Sequence, residues 1–133
     1  MGTFKPIIHE DLTLHEMDEE RFELLETETQ KINQALSDGK RVITVGTTAT
    51  RVVEHCEEEK KLIAKSGKTG LFIYPGYEFR IVSGVISNFH MPKSTPLLLV
   101  SAFGGRELMG KAYRHAIAKE YRFYSYGDSM MIL

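Results

Sequence analysis

Arg41-Val42-Ile43-Thr44-Val45-Gly46-Thr47-Thr48 decides the fold class. The first five residues are a short β-branched run, which suits a buried strand. Gly46-Thr47-Thr48 is the turn that ends it, and a helix is expected from about Thr50 to Ala64. The apolar face of that helix is thin: Val52, Val53, Cys56 and Ile63. Strand, Gly-Thr-Thr turn and helix make a βα unit. The start of such a helix offers unpaired backbone N–H groups and a partial positive charge, with hydroxyls beside them. It suits a carboxylate or a phosphate. Equally, Thr48 or Thr50 acts there as nothing more than a helix cap.

Working outward, Met17 to Leu36 reads as one helix. Phe22, Leu25, Thr29, Ile32 and Leu36 recur at steps of three and four and build a single apolar stripe. Gly39 follows as a left-handed C-terminal cap. Before it, Gly2 to His9 reads as extended, anchored by Phe4, Ile7 and Ile8. Downstream, Gly70 to Tyr74 and Tyr77 to Ile86 are strand candidates separated by the turn Pro75-Gly76, with Gly84 a bulge or close-approach point. Leu97 to Phe103 is apolar all round and fits a buried helix or a buried strand. Glu107 to Glu120 is a helix with Leu108, Met109, Ala112, Tyr113, Ala116 and Ile117 inward, and Tyr121 to Tyr126 is an aromatic strand. Alternating strands and helices predict an α/β fold: a mainly parallel sheet flanked by helices. Residues 1–133 are expected to form a single α/β domain.

Ser87-Asn88-Phe89-His90-Met91-Pro92-Lys93-Ser94-Thr95 concentrates an amide, an imidazole, an ammonium and three hydroxyls in one short segment. Pro92 forbids a continuous helix, so the segment is a loop between two apolar stretches. Such a loop holds catalytic or binding groups rigidly, or is a solvated surface turn.

The 133 residues are 42% hydrophobic and carry a formal net charge of -1. No global basic field exists, so nucleic-acid contact must come from a local patch. Cys56 is the lone cysteine, which excludes an internal disulfide framework and suits a reducing compartment. The start of the chain lacks a secretory core, and no apolar run is long enough to cross a membrane, so a cytoplasmic protein with no membrane partner is expected. His9, His15, His55, His90 and His115 show no zinc-ligand spacing, and no Walker loop, Gly-x-Gly-x-x-Gly fingerprint or Gly-x-Ser-x-Gly elbow occurs.

Five segments then match a pattern in order and spacing. They are Val45-Gly46-Thr47-Thr48 with Arg51 and Glu54; Phe72-Ile73-Tyr74-Pro75-Gly76-Tyr77; Asn88-Phe89-His90 with Pro92-Lys93-Ser94-Thr95; Val100-Ser101-Ala102-Phe103; and Tyr121-Arg122-Phe123 with Ser125-Tyr126-Gly127-Asp128. Together with Gly2-Thr3-Phe4 and Pro6 they resemble the S-adenosylmethionine:tRNA ribosyltransferase-isomerase family. The resemblance covers nearly the whole chain but only the C-terminal part of such a protein; the family's inserted β-barrel domain is absent from it, and a fragment of a larger α/β domain is expected. Ser83 departs from the pattern, standing where the family usually has an acid.

The resemblance implies a reaction in queuosine synthesis. The ribosyl part of S-adenosylmethionine is transferred to 7-aminomethyl-7-deazaguanine at the wobble position of the tRNA anticodon region and isomerised, giving epoxyqueuosine. Adenine and methionine are released; the cofactor is consumed as ribosyl donor, and no metal is implied. Amine attack on a ribose carbon of a sulfonium calls for a proton-transfer group, and His90 titrates in the useful range. Asn88 suits ribose hydroxyls or a base edge, and Asp128 suits an amine or a turn cap. Lys93, Ser94 and Thr95 suit an anion, and Gly46, Thr47 and Thr48 are the second anion site. Arg51 either reinforces that site or pairs with Glu54. Tyr74, Tyr77 and Tyr126 suit base stacking or core packing. Two other classes remain open: a non-catalytic tRNA- or nucleotide-binding module or paralogue with altered substrate, and a hydrolase using His90 and Asp128.

Overall fold

The structure, a computed structural model, describes residues 11–12 and 15–133. The expected extended stretch from Gly2 to His9 lies outside the described residues. Among the described residues the order is β1 (Glu20–Leu24), α1 (Glu26–Ser37), β2 (Val42–Val45), α2 (Thr47–His55), β3 (Glu57–Glu58), β4 (Lys61–Leu62), β5 (Lys65–Thr69), β6 (Val82–Asn88), α3 (Thr95–Gly104), α4 (Arg106–Ala118) and β7 (Ser129–Ile132).

The fold is mixed α/β, but the expected mainly parallel sheet is corrected. Among the described residues only β2 and β6 pair in parallel; β1–β5, β3–β4 and β6–β7 are antiparallel. The central sheet is β2-β6-β7. One of its faces carries Thr44, Val85 and Ile132, all buried. Helices α2 and α3 pack on this sheet, α2 against β2 and β6 and α3 against β7. The opposite face carries Ile43, Val45 and Met131, which are exposed, Val45 to 70%. Gly84 belongs to that bare face. A Cβ there would stand 3.0 Å from Leu133 Cδ2, 3.2 Å from Ile43 Cγ1 and 3.3 Å from the Ile132 carbonyl, so the close approach expected at Gly84 is real. The ladder slips between Val42 and Ile43, which face Val82 and Gly84 and leave Ser83 as the extra residue.

The expected helix from Met17 to Leu36 divides in two. Glu20 to Leu24 alternates, with Phe22 and Leu24 turned inward, and pairs with β5. Only Thr29, Ile32 and Leu36 of the expected stripe lie on α1, and Leu25 is exposed at its N-cap. Past the end of α1, Gly39 takes φ +70° and donates to the Leu36 carbonyl, as a C-terminal glycine should. Asn33 holds the helix to β4: its amide nitrogen donates to the Leu62 carbonyl and its oxygen accepts from Leu62 N, both at 2.8 Å.

Helix α2 also ends early, at His55 rather than Ala64, because Glu59 and Lys60 take φ +50° and +62° and turn a two-residue hairpin between β3 and β4. Residues 70–81 are not a strand; β5 is the polar run just before them, and β6 begins only at Val82. Leu97 to Phe103 resolves as helix, since Ser94 caps α3 by accepting from Leu97 N and Pro96 sits in the first turn. On α4, Met109 and Ala116 are buried, but Leu108 and Ile117 face solvent. The aromatic run from Tyr121 to Tyr126 is a turn, not a strand; the last strand is β7. Two apolar clusters, one around Val53, Cys56, Leu62, Val82 and Val85 and one around Ile73, Leu99, Val100, Met109 and Ile132, meet at Phe79 and Phe103, whose rings cross edge to face at 4.9 Å.

Candidate active site

The parallel pair sets the site. Strands β2 and β6 run the same way, so their C-terminal ends open side by side, the usual place for a ligand in an α/β sheet. From β2 the chain passes through Gly46, at φ +91°, into α2; Gly46 N donates to the Ile86 carbonyl at 2.8 Å. From β6 it passes through Asn88 into the polar loop. Between them lies a cleft of about 390 Å3 lined by Val45 to Ala49, Ser87, Asn88, His90, Met91, Ser94, Pro96, Tyr124 and Ser125.

His90 is fixed at both ends. Its backbone N–H donates to the Tyr113 hydroxyl at 2.8 Å, and its Nε2 lies 2.6 Å from Ser87 Oγ. Burial pushes the imidazole down to about 4, so it is neutral at physiological pH and a weaker proton acceptor than the near-neutral titration expected of it. That shift has a stability consequence. An unfolded histidine titrates near 6.5, so as pH falls from 6.5 towards 4 the unfolded chain binds a proton that the folded chain refuses, and stability is lost in that window. His90→Asn removes this contribution. Equilibrium unfolding at pH 7 and pH 4 is expected to show a smaller acid loss in the variant, by at most about 3 kcal/mol for partial burial; equal losses would mean that the native imidazole titrates normally.

The start of α2 carries no side-chain cap. Thr50 Oγ1 turns back to the Gly46 carbonyl at 3.0 Å and meets Thr44 Oγ1 at 2.7 Å, while Thr48 Oγ1 reaches only Glu20, at 3.5 Å. Neither threonine caps the helix, and the residues of its first turn line the cleft with no hydroxyl from the expected caps on their N–H groups.

Arg51 does not pair with Glu54. Its buried guanidinium bonds Glu20 Oε2 at 2.8 Å and the carbonyls of Leu71 (2.9 Å), Thr69 (3.3 Å) and Asp18 (3.4 Å), tying α2 to β1 and β5. Burial lowers its pKa and Glu20 opposes that. Glu54 is used elsewhere. Its Oε1 accepts from Ile81 N (3.0 Å) and Val82 N (2.9 Å), and its Oε2 from Arg80 N (3.0 Å) and the Tyr77 hydroxyl (3.2 Å). Burial first, and then the Glu54 charge, push the Tyr77 phenol up to about 12.

The structure thus gathers Gly46, Thr47, Thr48, Asn88, His90 and Ser94 around one cleft and disperses the other candidates. Ser94 spends its hydroxyl on the Met91 carbonyl (2.7 Å) and on capping α3. Thr95 is buried and touches a crevice beside Thr47 and Arg51. Lys93 is exposed at φ +54°. Tyr74 and Tyr77 line a second, open cavity of about 570 Å3 with Glu57, Phe72 and Arg80. Tyr126 is 94% exposed. Asp128 caps the last turn: its carboxylate accepts from Arg122 N (2.8 Å) and from the Arg122 guanidinium (3.2 Å), and these contacts hold its pKa low. Asn88 donates to the Gly127 and Asp128 carbonyls at 3.3 Å. Ser83 bonds Val42 N at 3.4 Å at the far end of β6, roughly 13 Å from Ser87 at a strand rise near 3.3 Å per residue, so it is not beside the loop.

The sequence reading gave no role to Ser87, Tyr113 or Tyr124. Ser87 carried a signal, standing three residues before His90. The other two are brought to the loop by folding alone. Among the described residues, no group of three or more His, Cys, Asp or Glu side chains is placed to hold a metal ion, and no helix is long and apolar enough to cross a membrane.

Residues 1–132 match the family described as Queuosine biosynthesis protein. A protein of Fusobacterium nucleatum named S-adenosylmethionine:tRNA ribosyltransferase-isomerase is 51% identical over 133 residues, covering 99% of this chain and 38% of that protein. One of the same name from Carboxydothermus hydrogenoformans is 48% identical, covering all of this chain and 39% of that protein. The crystal structure of S-adenosylmethionine tRNA ribosyltransferase from Thermotoga maritima superposes with a TM-score of 0.80 at 40% identity, over 85% of this chain and 40% of that one. The chain spans about two fifths of the length of the curated relatives it matches.

Proposed function

The chain belongs to the queuosine biosynthesis protein family, and from that membership we propose that it is the C-terminal part of the α/β domain of an S-adenosylmethionine:tRNA ribosyltransferase-isomerase. The family resemblance carried by the five segments is borne out. The activity transfers the ribosyl moiety of S-adenosylmethionine to 7-aminomethyl-7-deazaguanine in the anticodon region of tRNA and isomerises it to epoxyqueuosine, releasing adenine and methionine. The observation that carries the proposal is 51% identity to a relative of that name across 99% of the chain. The bare apolar face at Ile43, Val45 and Met131 supports a larger α/β domain, since such a face is normally covered. The protein acts in the cytoplasm.

His90 is the proton-transfer group, neutral and held by Ser87 and Tyr113 at the cleft wall. It takes the proton that the amine sheds as its nitrogen bonds to the ribose carbon and that carbon's bond to its leaving group breaks, and, being too weak a base to keep the proton, passes it to the departing group. The start of α2, with Gly46, Thr47 and Thr48, receives the methionine carboxylate, because oriented N–H groups and the helix dipole favour an anion there. Lys93 supplies a further positive charge for tRNA phosphate. Asn88 and Asp128 act through the loop they fasten, and Tyr74 and Tyr77 offer their own cavity to a base.

The test is adenine release by the complete enzyme from S-adenosylmethionine, with and without tRNA carrying the aminomethyl base. Release that requires that tRNA is the expected result; no release overturns the proposal. Within the same assay, Thr48→Val is expected to weaken S-adenosylmethionine binding by about 3- to 10-fold, the contribution of one hydrogen bond. An unchanged isotherm would return Thr48 to a purely structural place.

A further inference from the structure

We propose that Tyr124 is the aromatic wall of the His90 cleft, the surface on which a purine-type ring stacks when substrate binds. The proposal rests on the functional reading above and adds a residue to it.

Tyr124 sits at φ +72°, a region that side chains rarely occupy. A residue stays there only where its surroundings over-determine it, and such residues gather at ligand sites. Here the surroundings do. Tyr124 N donates to the Phe89 carbonyl at 2.9 Å, Gly127 N to the Tyr124 carbonyl at 2.9 Å, and Asp128 N to the Arg122 carbonyl at 2.7 Å. The turn is so tight at its far end that a Cβ on Gly127 would collide with the Arg122 carbonyl. The Asp128 carboxylate and the Asn88 amide close the same turn from outside. All this fastening serves a ring that is not buried. Tyr124 is 52% exposed, and it lines the cleft shared by His90 and the start of α2.

A half-exposed phenol ring on a fastened backbone, edge-on to Phe123 and beside a proton-transfer group, is suited to a flat aromatic ligand. Stacking tolerates any base because every base has a π-face, and it costs less order when the backbone that carries the ring is already fixed. Both substrates carry such a ring: the adenine of S-adenosylmethionine and the deazaguanine of tRNA. Either one stacked on Tyr124 would lie in the cleft with the imidazole.

The experiment uses the complete enzyme with Tyr124→Phe and Tyr124→Asn. Asparagine tolerates positive φ, so the turn is kept and only the ring is lost; thermal midpoints confirm that both variants fold. The probes are S-adenosylmethionine alone and a synthetic anticodon stem-loop RNA, each titrated at equilibrium. Tyr124→Asn is expected to weaken one probe at least 10-fold, while Tyr124→Phe stays within about threefold. A loss confined to S-adenosylmethionine places adenine on Tyr124, and a loss confined to the RNA places a tRNA base there. Unchanged affinity for both probes in Tyr124→Asn, equal damage by Tyr124→Phe, or failure of the unsubstituted enzyme to bind either probe overturns the proposal. Adenine release by the unsubstituted enzyme is scored separately, so a missing activity sinks the functional reading while these titrations still decide the wall.

Discussion

In the complete enzyme, His90→Gln lowers turnover by about two to four orders of magnitude and leaves tRNA affinity within about twofold. The size of the effect follows from what the imidazole does in the proposed reaction. General acid–base groups contribute on this scale when they sit within reach of the moving proton. The sparing of affinity follows from how the residue is held. The loop is anchored at this point through the His90 backbone N–H on the Tyr113 hydroxyl, a bond that any side chain preserves. Glutamine keeps a polar group of similar reach for Ser87 but has no basic ring nitrogen to take up and return a proton. Single-turnover adenine release gives the chemical step and filter binding gives tRNA affinity. A normal rate with a normal affinity would remove His90 from the chemistry; a rate loss matched by an affinity loss would make it a binding residue.

Glu54→Ala lowers unfolding free energy by at least about 3 kcal/mol. One buried carboxylate serves three backbone N–H groups and a phenol at the start of β6. Each buried donor left without a partner costs about 1–3 kcal/mol, and the backbone donors of Ile81 and Val82 are deeply placed. Glu54→Gln falls between, because the amide presents only one oxygen where the carboxylate presents two. Chemical denaturation reads both variants, and a loss below about 1 kcal/mol for Glu54→Ala would mean that water replaces the carboxylate at little cost.

Local chemistry made part of the fold legible. The strand, Gly46 turn and helix after Arg41 were readable because β-branching, glycine and helix-end physics act within a few residues. The glycine cap at Gly39 and the bulk of α4 were readable for the same reason. Glu20 to Leu24 was not. Its side chains satisfy both a helical stripe and strict alternation, and the choice is made by β5, whose Lys-Ser-Gly-Lys-Thr sequence carries no strand signature. The mainly parallel sheet failed because two supposed strands, Gly70 to Tyr74 and Tyr121 to Tyr126, are irregular segments whose aromatic rings pack instead of pairing.

The site divides in the same way. His90 stood out because polar groups crowd its own loop. Tyr113, which anchors it, reads in sequence as one more inward residue of a helix. Arg51 and Glu54 look like partners three apart on a helix, yet each has a stronger claim from a distant segment: Glu20 for the arginine, the N–H groups at residues 80–82 for the carboxylate. Tertiary structure reassigns charges wherever it supplies a better-satisfied set of donors.

Strand β6 takes its neighbours from opposite directions along the chain, β2 from before it and β7 from after it. Protein synthesis runs one way. A nascent chain that has reached Asn88 already holds both strands of the parallel pair and the start of α2, but the turn that walls the cleft and the strand that seals β6 are still unmade. At about 5–20 residues per second, the ribosome needs on the order of 2–8 seconds to travel from His90 to Asp128. Tyr113 emerges first in that interval, then Tyr124 and Asp128, and β7 only after them, so the pocket is closed from its C-terminal side, after the parallel pair has been translated.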